Sequence, residues 1–126
     1  MENKVLVCIT PQGNSRRLID KGAEIAADGE LHILHIEKGG EVFNTEGAAR
    51  MIQELFDYAS KAGGIVHGMC SDNIAKTIKS FVLKEKISAL ILGETDKNYK
   101  AADESVLARI QNALPDVNIY ILERQE

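Results

Sequence analysis

The stretch Val5-Leu6-Val7-Cys8-Ile9, followed at once by Thr10-Pro11-Gln12-Gly13-Asn14-Ser15, decides the fold class. Five unbroken apolar residues, mostly β-branched or small, are the pattern of a strand buried on both faces rather than on one. Proline and glycine then end the strand, and Asn14 or Ser15 is placed to cap a helix. The next segment supplies that helix. Leu18, Ile19, Gly22, Ala23 and Ala26 fall on one face, while Arg16, Arg17, Asp20, Lys21 and Glu24 fall largely elsewhere. Asp28-Gly29 is read as its stop.

The same alternation continues along the chain. Leu31 to Ile36 reads as a second strand, and Glu37 to Gly47 as a polar loop with three glycines. Ala48, Met51, Ile52, Leu55, Phe56 and Ala59 then repeat at helical spacing up to Ala62-Gly63-Gly64. Ile65 to His67 is a short third strand. Ser71 or Asp72 is read as the cap of a third helix with Ile74, Ala75, Ile78, Phe81 and Val82 inward. Ala89 to Leu92 is a fourth strand ended by Gly93. A loop from Glu94 to about Ala102 and a helix carrying Val106, Leu107, Ile110 and Leu114 follow, and Val117 to Leu122 is a fifth strand after Pro115-Asp116.

The order βαβαβαβαβ implies an α/β fold, an open five-stranded parallel sheet with helices on both faces and right-handed crossovers. Periodicity alone leaves two strand orders open, 3-2-1-4-5 and 2-1-3-4-5. With 126 residues and no repeat or linker, the chain reads as one domain over 1–126.

Composition removes several classes of function. A net charge of −4 gives no basic footprint for nucleic acid, and 5% aromatic residues without Trp give no base-stacking platform. No apolar run approaches a membrane span. The apolar run after Met1 to Lys4 is too short for a signal-peptide core, so the expected location is the cytoplasm. Cys8 and Cys70 lie far apart without metal or redox spacing; Cys8 reads as a buried small hydrophobe and Cys70 lies near a predicted loop.

Open parallel sheets take ligands at the carboxyl ends of the strands, where the strand order reverses. Four loops form that edge: Thr10–Ser15, Glu37–Gly47, Gly68–Asp72 and Gly93–Ala102. Their charge is mixed, with Arg16, Arg17, Lys38, Lys97 and Lys100 beside Glu37, Glu41, Glu94 and Asp96.

At this point a resemblance emerges. Leu31 to Ile36, Ser71 to Ile78 followed by Ile87 to Gly93, and Pro115 to Leu122 are similar to the second strand, third helix, fourth strand and closing strand of the universal stress protein family. The resemblance covers essentially the whole chain. Leu6 to Ile19 is most like the stress-protein domain of potassium-responsive sensor histidine kinases, of which this chain would be a stand-alone version. The resemblance implies strand order 3-2-1-4-5, a switch point between strands 1 and 4, and homodimers joined by the fifth strands, here Asn118 to Glu123. That segment is apolar and lacks proline, the sort of edge that pairs unless covered.

ATP-binding members share a G-x2-G-x9-G-[ST] pattern whose glycines admit phosphates. Gly93 matches its first position, but Asp96 stands at the second glycine and Val106-Leu107 at the last pair. Counting back from Pro115 instead places Ser105 at the hydroxyl position, after Glu104. Thr10 replaces the aspartate usual at the end of strand 1. For cyclic dinucleotides, Thr10-Pro11-Gln12 and Leu31 to His35 depart from the pattern of the kinase-linked domains. ATP or AMP and a cyclic dinucleotide are thus the cofactors the resemblance raises, and Thr10, Pro11, Gln12, Ser15, Arg16, Gly93 and Ser105 are the candidate ligand-binding residues.

Other chemistry reads weakly. Gly13 to Arg17 lacks the last glycine of a nucleophile elbow, so Ser15 is read as a helix cap. Thr10 and Gly93 stand where a receiver domain needs acids. His32 and His35 point to opposite faces of a strand and share no metal, whereas His35 would approach His67 if strands 2 and 3 are neighbours. Arg16 and Arg17 are solvated helix positions or, at a helix start, partners for an anion. The expectation is a non-catalytic regulatory module acting with a small anionic ligand or a regulatory protein partner. The alternative is an ATP/AMP-binding stress protein with weak ATPase activity.

Overall fold

A computed structural model describes residues 3–10, 15–37, 47–93 and 109–122. Its elements are β1 (Lys4–Cys8), α1 (Ser15–Ala26), β2 (Glu30–Glu37), α2 (Ala48–Lys61), β3 (Ile65–Cys70), α3 (Ile74–Glu85), β4 (Ala89–Gly93) and β5 (Asn118–Leu122). Residues 109–113, between β4 and β5, are helical. The sheet has order β3-β2-β1-β4-β5 and every neighbouring pair is parallel. Of the two orders that periodicity leaves open, the molecule takes the one in which β1 lies at the centre.

The apolar run of β1 is explained by that position. Val5 and Val7 join Ile33 and Ile91 in a core closed by Ile19 of α1 and by Ile52 and Leu55 of α2. Leu6 joins Leu34, Leu90 and Leu92 in a second core closed by Ile78, Phe81 and Val82 of α3 and by Ile110 and Leu114. A central strand covered on both faces has no solvent side to alternate with. Each such buried side chain contributes roughly 1.5–3 kcal/mol. Gly22 lets α1 lie against the sheet: a Cβ there would stand 2.3 Å from Val7 Cγ2 and 3.1 Å from Leu31 Cδ1.

Several local expectations are corrected. α1 ends at Ala26, with Ala27 in the left-handed region (φ 50°), before Asp28-Gly29 is reached. β3 runs to Cys70, three residues beyond His67, because β2 extends to Glu37 and pairs with it through Glu37↔Cys70. The cap of α3 is Asn73, whose side chain accepts the Lys76 N–H at 3.1 Å. Ser71 takes a supporting role, its hydroxyl oxygen accepting the Asn73 N–H at 3.0 Å and the Thr77 hydroxyl at 2.7 Å. Val106 and Leu107 lie outside the described residues.

Candidate functional site

The switch point lies between β1 and β4, the central pair from which the order runs out both ways. Thr10 follows β1 at the surface, and α1 begins at Ser15. The Ser15 hydroxyl is 1% exposed and does not cap the helix as expected. It donates to the Thr10 carbonyl at 2.8 Å and accepts the Thr10 N–H at 3.2 Å. One side chain thereby satisfies both backbone groups of Thr10 and sets the first turn of α1 against the end of β1.

Gly93 ends β4 beside the same edge. A Cβ there would meet Leu18 Cδ1 at 3.1 Å, so this glycine serves the close packing of α1 on β4. Arg16 is exposed and lies with its guanidinium carbon 5.2 Å from the centroid of the Tyr58 ring on α2. The Tyr58 hydroxyl in turn donates to Asp20 of α1. That bond, with partial desolvation, raises the tyrosine above its ordinary range. Arg16 therefore belongs to a contact between α1 and α2. Pro11, Gln12 and Ser105 lie outside the described residues.

The histidines are arranged otherwise than expected. β2 and β3 are neighbours, but the register pairs Leu34 with His67, so His67 shares a face with His32 and not with His35. His32 Nδ1 lies 3.0 Å from His67 Nε2, and His32 Nε2 lies 2.9 Å from Glu30 Oε1. Of the two facing ring nitrogens one donates and the other accepts, according to the tautomers of the rings. The two rings stack at 5.2 Å between centroids, and Phe81 stands edge-on to both. Desolvation, then the neighbouring His32, holds His67 below the ordinary imidazole value, against an opposing pull from Glu85. His35 sits on the other face, 4% exposed, and burial lowers it too, opposed by Glu37. Burial pushes the Cys8 thiol up to about 12, which removes it as a thiolate nucleophile. Among the described residues no three His, Cys, Asp or Glu side chains converge as a metal ligand set.

His67 and Phe81 also floor a groove of about 610 Å³ between β3 and the outer flank of α3. The sequence named His67, Phe81 and the loop Gly68–Asp72 separately but not as one groove, because their meeting depends on the register of two strands and the seat of α3. The alternating face of His67 and Met69 was the available signal, hidden by ending the strand at His67.

No family model matches the chain. Similar solved structures define the class of fold. A universal stress protein in complex with cAMP aligns over 95% of this chain and 95% of its own, with TM-score 0.66 and 17% identity. A universal stress protein from Archaeoglobus fulgidus aligns over 99% of this chain and 95% of its own, with TM-score 0.65 and 16% identity. The fold is that of universal stress proteins.

In sequence, 97% of the chain is 24% identical to part of a putative sensor protein KdpD of Synechocystis sp. (strain ATCC 27184 / PCC 6803 / Kazusa), and it spans 34% of that relative's length. The chain is thus a universal-stress-protein-like domain related to the KdpD sensor.

Proposed function

We propose that this domain is a non-catalytic regulatory or signalling module that senses a small anionic or nucleotide ligand at the carboxyl edge of its sheet. The observation that carries the reading is the tie between Ser15 and Thr10. A buried hydroxyl holds Thr10, just after β1, against the start of α1 at the strand switch point. Helix starts at such points offer free N–H groups and a positive dipole end to anions. The cAMP held by a structural neighbour and the likeness to a sensor protein support a nucleotide and a signalling role.

The second reading, an ATP- or AMP-binding stress protein with weak ATPase activity, draws on Gly93 at the end of β4 and on Ser105. Thermal-shift titration with ATP, AMP, cAMP and cyclic dinucleotides separates the two, since a ligand that binds only the folded state raises the midpoint. The module reading expects a shift from AMP, cAMP or a cyclic dinucleotide without phosphate release. An ATP shift abolished by Ser105→Ala, with phosphate released from ATP, establishes the second reading instead.

The module acts as a homodimer through the segment Asn118 to Glu123, in the cytoplasm, with a regulatory protein as its further partner. Tyr120 and Ile121 on that edge strand are 36% and 40% exposed, an apolar cost that pairing removes. Among the described residues no helix is long and apolar enough to cross a membrane. Sedimentation that finds monomer alone at high concentration overturns the dimer.

A further inference from the structure

We propose that the outer face of α3 docks this domain on an anionic lipid surface, on which it lies without spanning the bilayer. Lys76, Lys79, Ser80, Leu83 and Lys84 fall at i, i+3, i+4, i+7 and i+8, so they form one stripe of the helix, and all five are exposed. Lys86, the cap residue that follows, is exposed as well. The stripe lies away from Ile78, Phe81 and Val82, which hold α3 on the sheet. The stripe itself contains no acid. Lys76 and Lys84 also rim the groove, where Asp72 and Glu85 balance them; Lys79 and Lys86 lie outside it and supply the surplus.

The helices on the other face of the sheet differ. α1 sets Arg16, Arg17 and Lys21 against Asp20 and Glu24, and α2 sets Arg50 and Lys61 against Glu54 and Asp57. Both close the opposite core, so the sheet lies between their acids and α3. Exposed charges more than about 8 Å apart are largely screened at physiological salt. A chain of net charge −4 thereby presents one cationic face. Among the described residues none of these four lysines takes part in an ion pair. Lys76 even stands in the first turn of α3, where the helix dipole favours an acid.

The composition of the stripe selects the occupant. Protein interfaces are rich in Arg and aromatic side chains and poor in Lys. Nucleic-acid surfaces use Arg against base edges or aromatic rings for stacking. The stripe holds neither. Lysines around a leucine that is 61% exposed suit a bilayer surface instead. Leu83 enters the boundary of the acyl chains, and the lysine stems lie along it with their ammonium groups among the headgroup phosphates.

The test sediments the full chain with vesicles of phosphatidylcholine, alone or with about one-third phosphatidylglycerol. The chain should bind the anionic vesicles about tenfold or more tightly than the neutral ones, and the difference should fade as salt rises. Lys79→Glu with Lys84→Glu changes only exposed positions and should weaken binding to the anionic vesicles by about tenfold or more. Arg50→Glu with Lys61→Glu makes the same change of net charge at exposed positions of α2 and should bind as the parent does. The chain has no Trp, so the emission of a Leu83→Trp variant reports that position alone. It should move to shorter wavelength with the anionic vesicles and stay unchanged with the neutral ones. Equal binding to both kinds of vesicle, binding to neither, or an equal loss in the α2 control overturns the proposal. So does Leu83→Trp emission that stays unmoved by anionic vesicles that bind the chain. Capture of the chain by poly-glutamate or duplex DNA, but by neither vesicle, overturns it in favour of that class of partner.

Discussion

The carboxyl edge of this sheet and the groove beside α3 are built by opposite means. At the carboxyl edge, the groups that meet are close in sequence: Thr10 and Ser15 are five residues apart and one hydroxyl joins them. At the groove, His32 and His67 are thirty-five residues apart and Phe81 lies on a third element, yet the three rings are mutually in contact. The first site is a local tie between the end of β1 and the start of α1. The second exists only if the β2–β3 register and the seat of α3 are both right. Changes in the groove should therefore act mainly on global stability, and changes at the carboxyl edge mainly on ligand response.

The largest expected effect tests that division directly. Phe81 is buried and packs with Leu34 and Leu90 besides the two imidazoles. Phe81→Ala should destabilise by about 3–5 kcal/mol in denaturant unfolding, since the cavity is walled by fixed strands. At a temperature where the variant is still folded, its response to AMP should match the parent. An AMP response lost in folded Phe81→Ala as well as in Ser15→Ala would merge the two sites into one.

Next in size is Gly22→Val. The added Cβ meets Val7, a fully buried β-branched residue, so α1 must lift from the sheet at a cost of about 1–3 kcal/mol. Because α1 also carries Ser15, this variant should impair both stability and nucleotide response. Ser15→Ala should cost less, about 1–2 kcal/mol, through loss of its hydroxyl's two bonds to Thr10. The response to AMP or cAMP should fall more than the stability does. Equal loss in both measurements would reduce Ser15 to a loop fastener.

The imidazoles extend the comparison to pH. His35 and His67 both lie below the ordinary value of 6.5 in the folded chain, each mainly through burial. Unfolding therefore takes up protons, and stability is complete above about that pH. It should decline as pH falls through 6.5 toward the folded values and level off below them. His67→Gln and His35→Gln should each remove part of the slope. The His67 share should be seen as resonance shifts at Met69 and Thr77, which line the same groove.

How far the sequence revealed these regions follows from the same contrast. The apolar run of β1, the helical stripes from Leu18 to Ala26 and from Ala48 to Ala59, and the breaks between them are local patterns, and the fold class was legible in them. The strand order was not, because each strand is apolar on both faces and no pattern marks its neighbour; it came with the resemblance. Cap positions failed where neighbouring polar residues compete. Ser71, Asp72 and Asn73 are all capable caps, and Asn73 wins because Ser71 is held by Thr77. The histidine pair failed on parity: ending β3 at His67 left no register from which to see that Leu34, and hence the face of His32, lies beside it.

The smallest expected effect concerns Arg16, among the described candidates the one at the carboxyl edge whose partner lies elsewhere. Its guanidinium rests over Tyr58, whose hydroxyl is engaged by Asp20, so the cation bridges α1 and α2 at the surface. An exposed contact of this kind is worth about 0.5–1 kcal/mol. Arg16→Ala and Tyr58→Leu should each lose about that much, and a double-mutant cycle should recover most of it as coupling. Arg16→Ala should leave the midpoint shift by AMP unchanged if Tyr58 is the whole of its role. Should the shift vanish while the coupling to Tyr58 is near zero, the side chain swings to an anion at the start of α1. The carboxyl edge would then owe its charge recognition to a residue that, without ligand, is parked on the neighbouring helix.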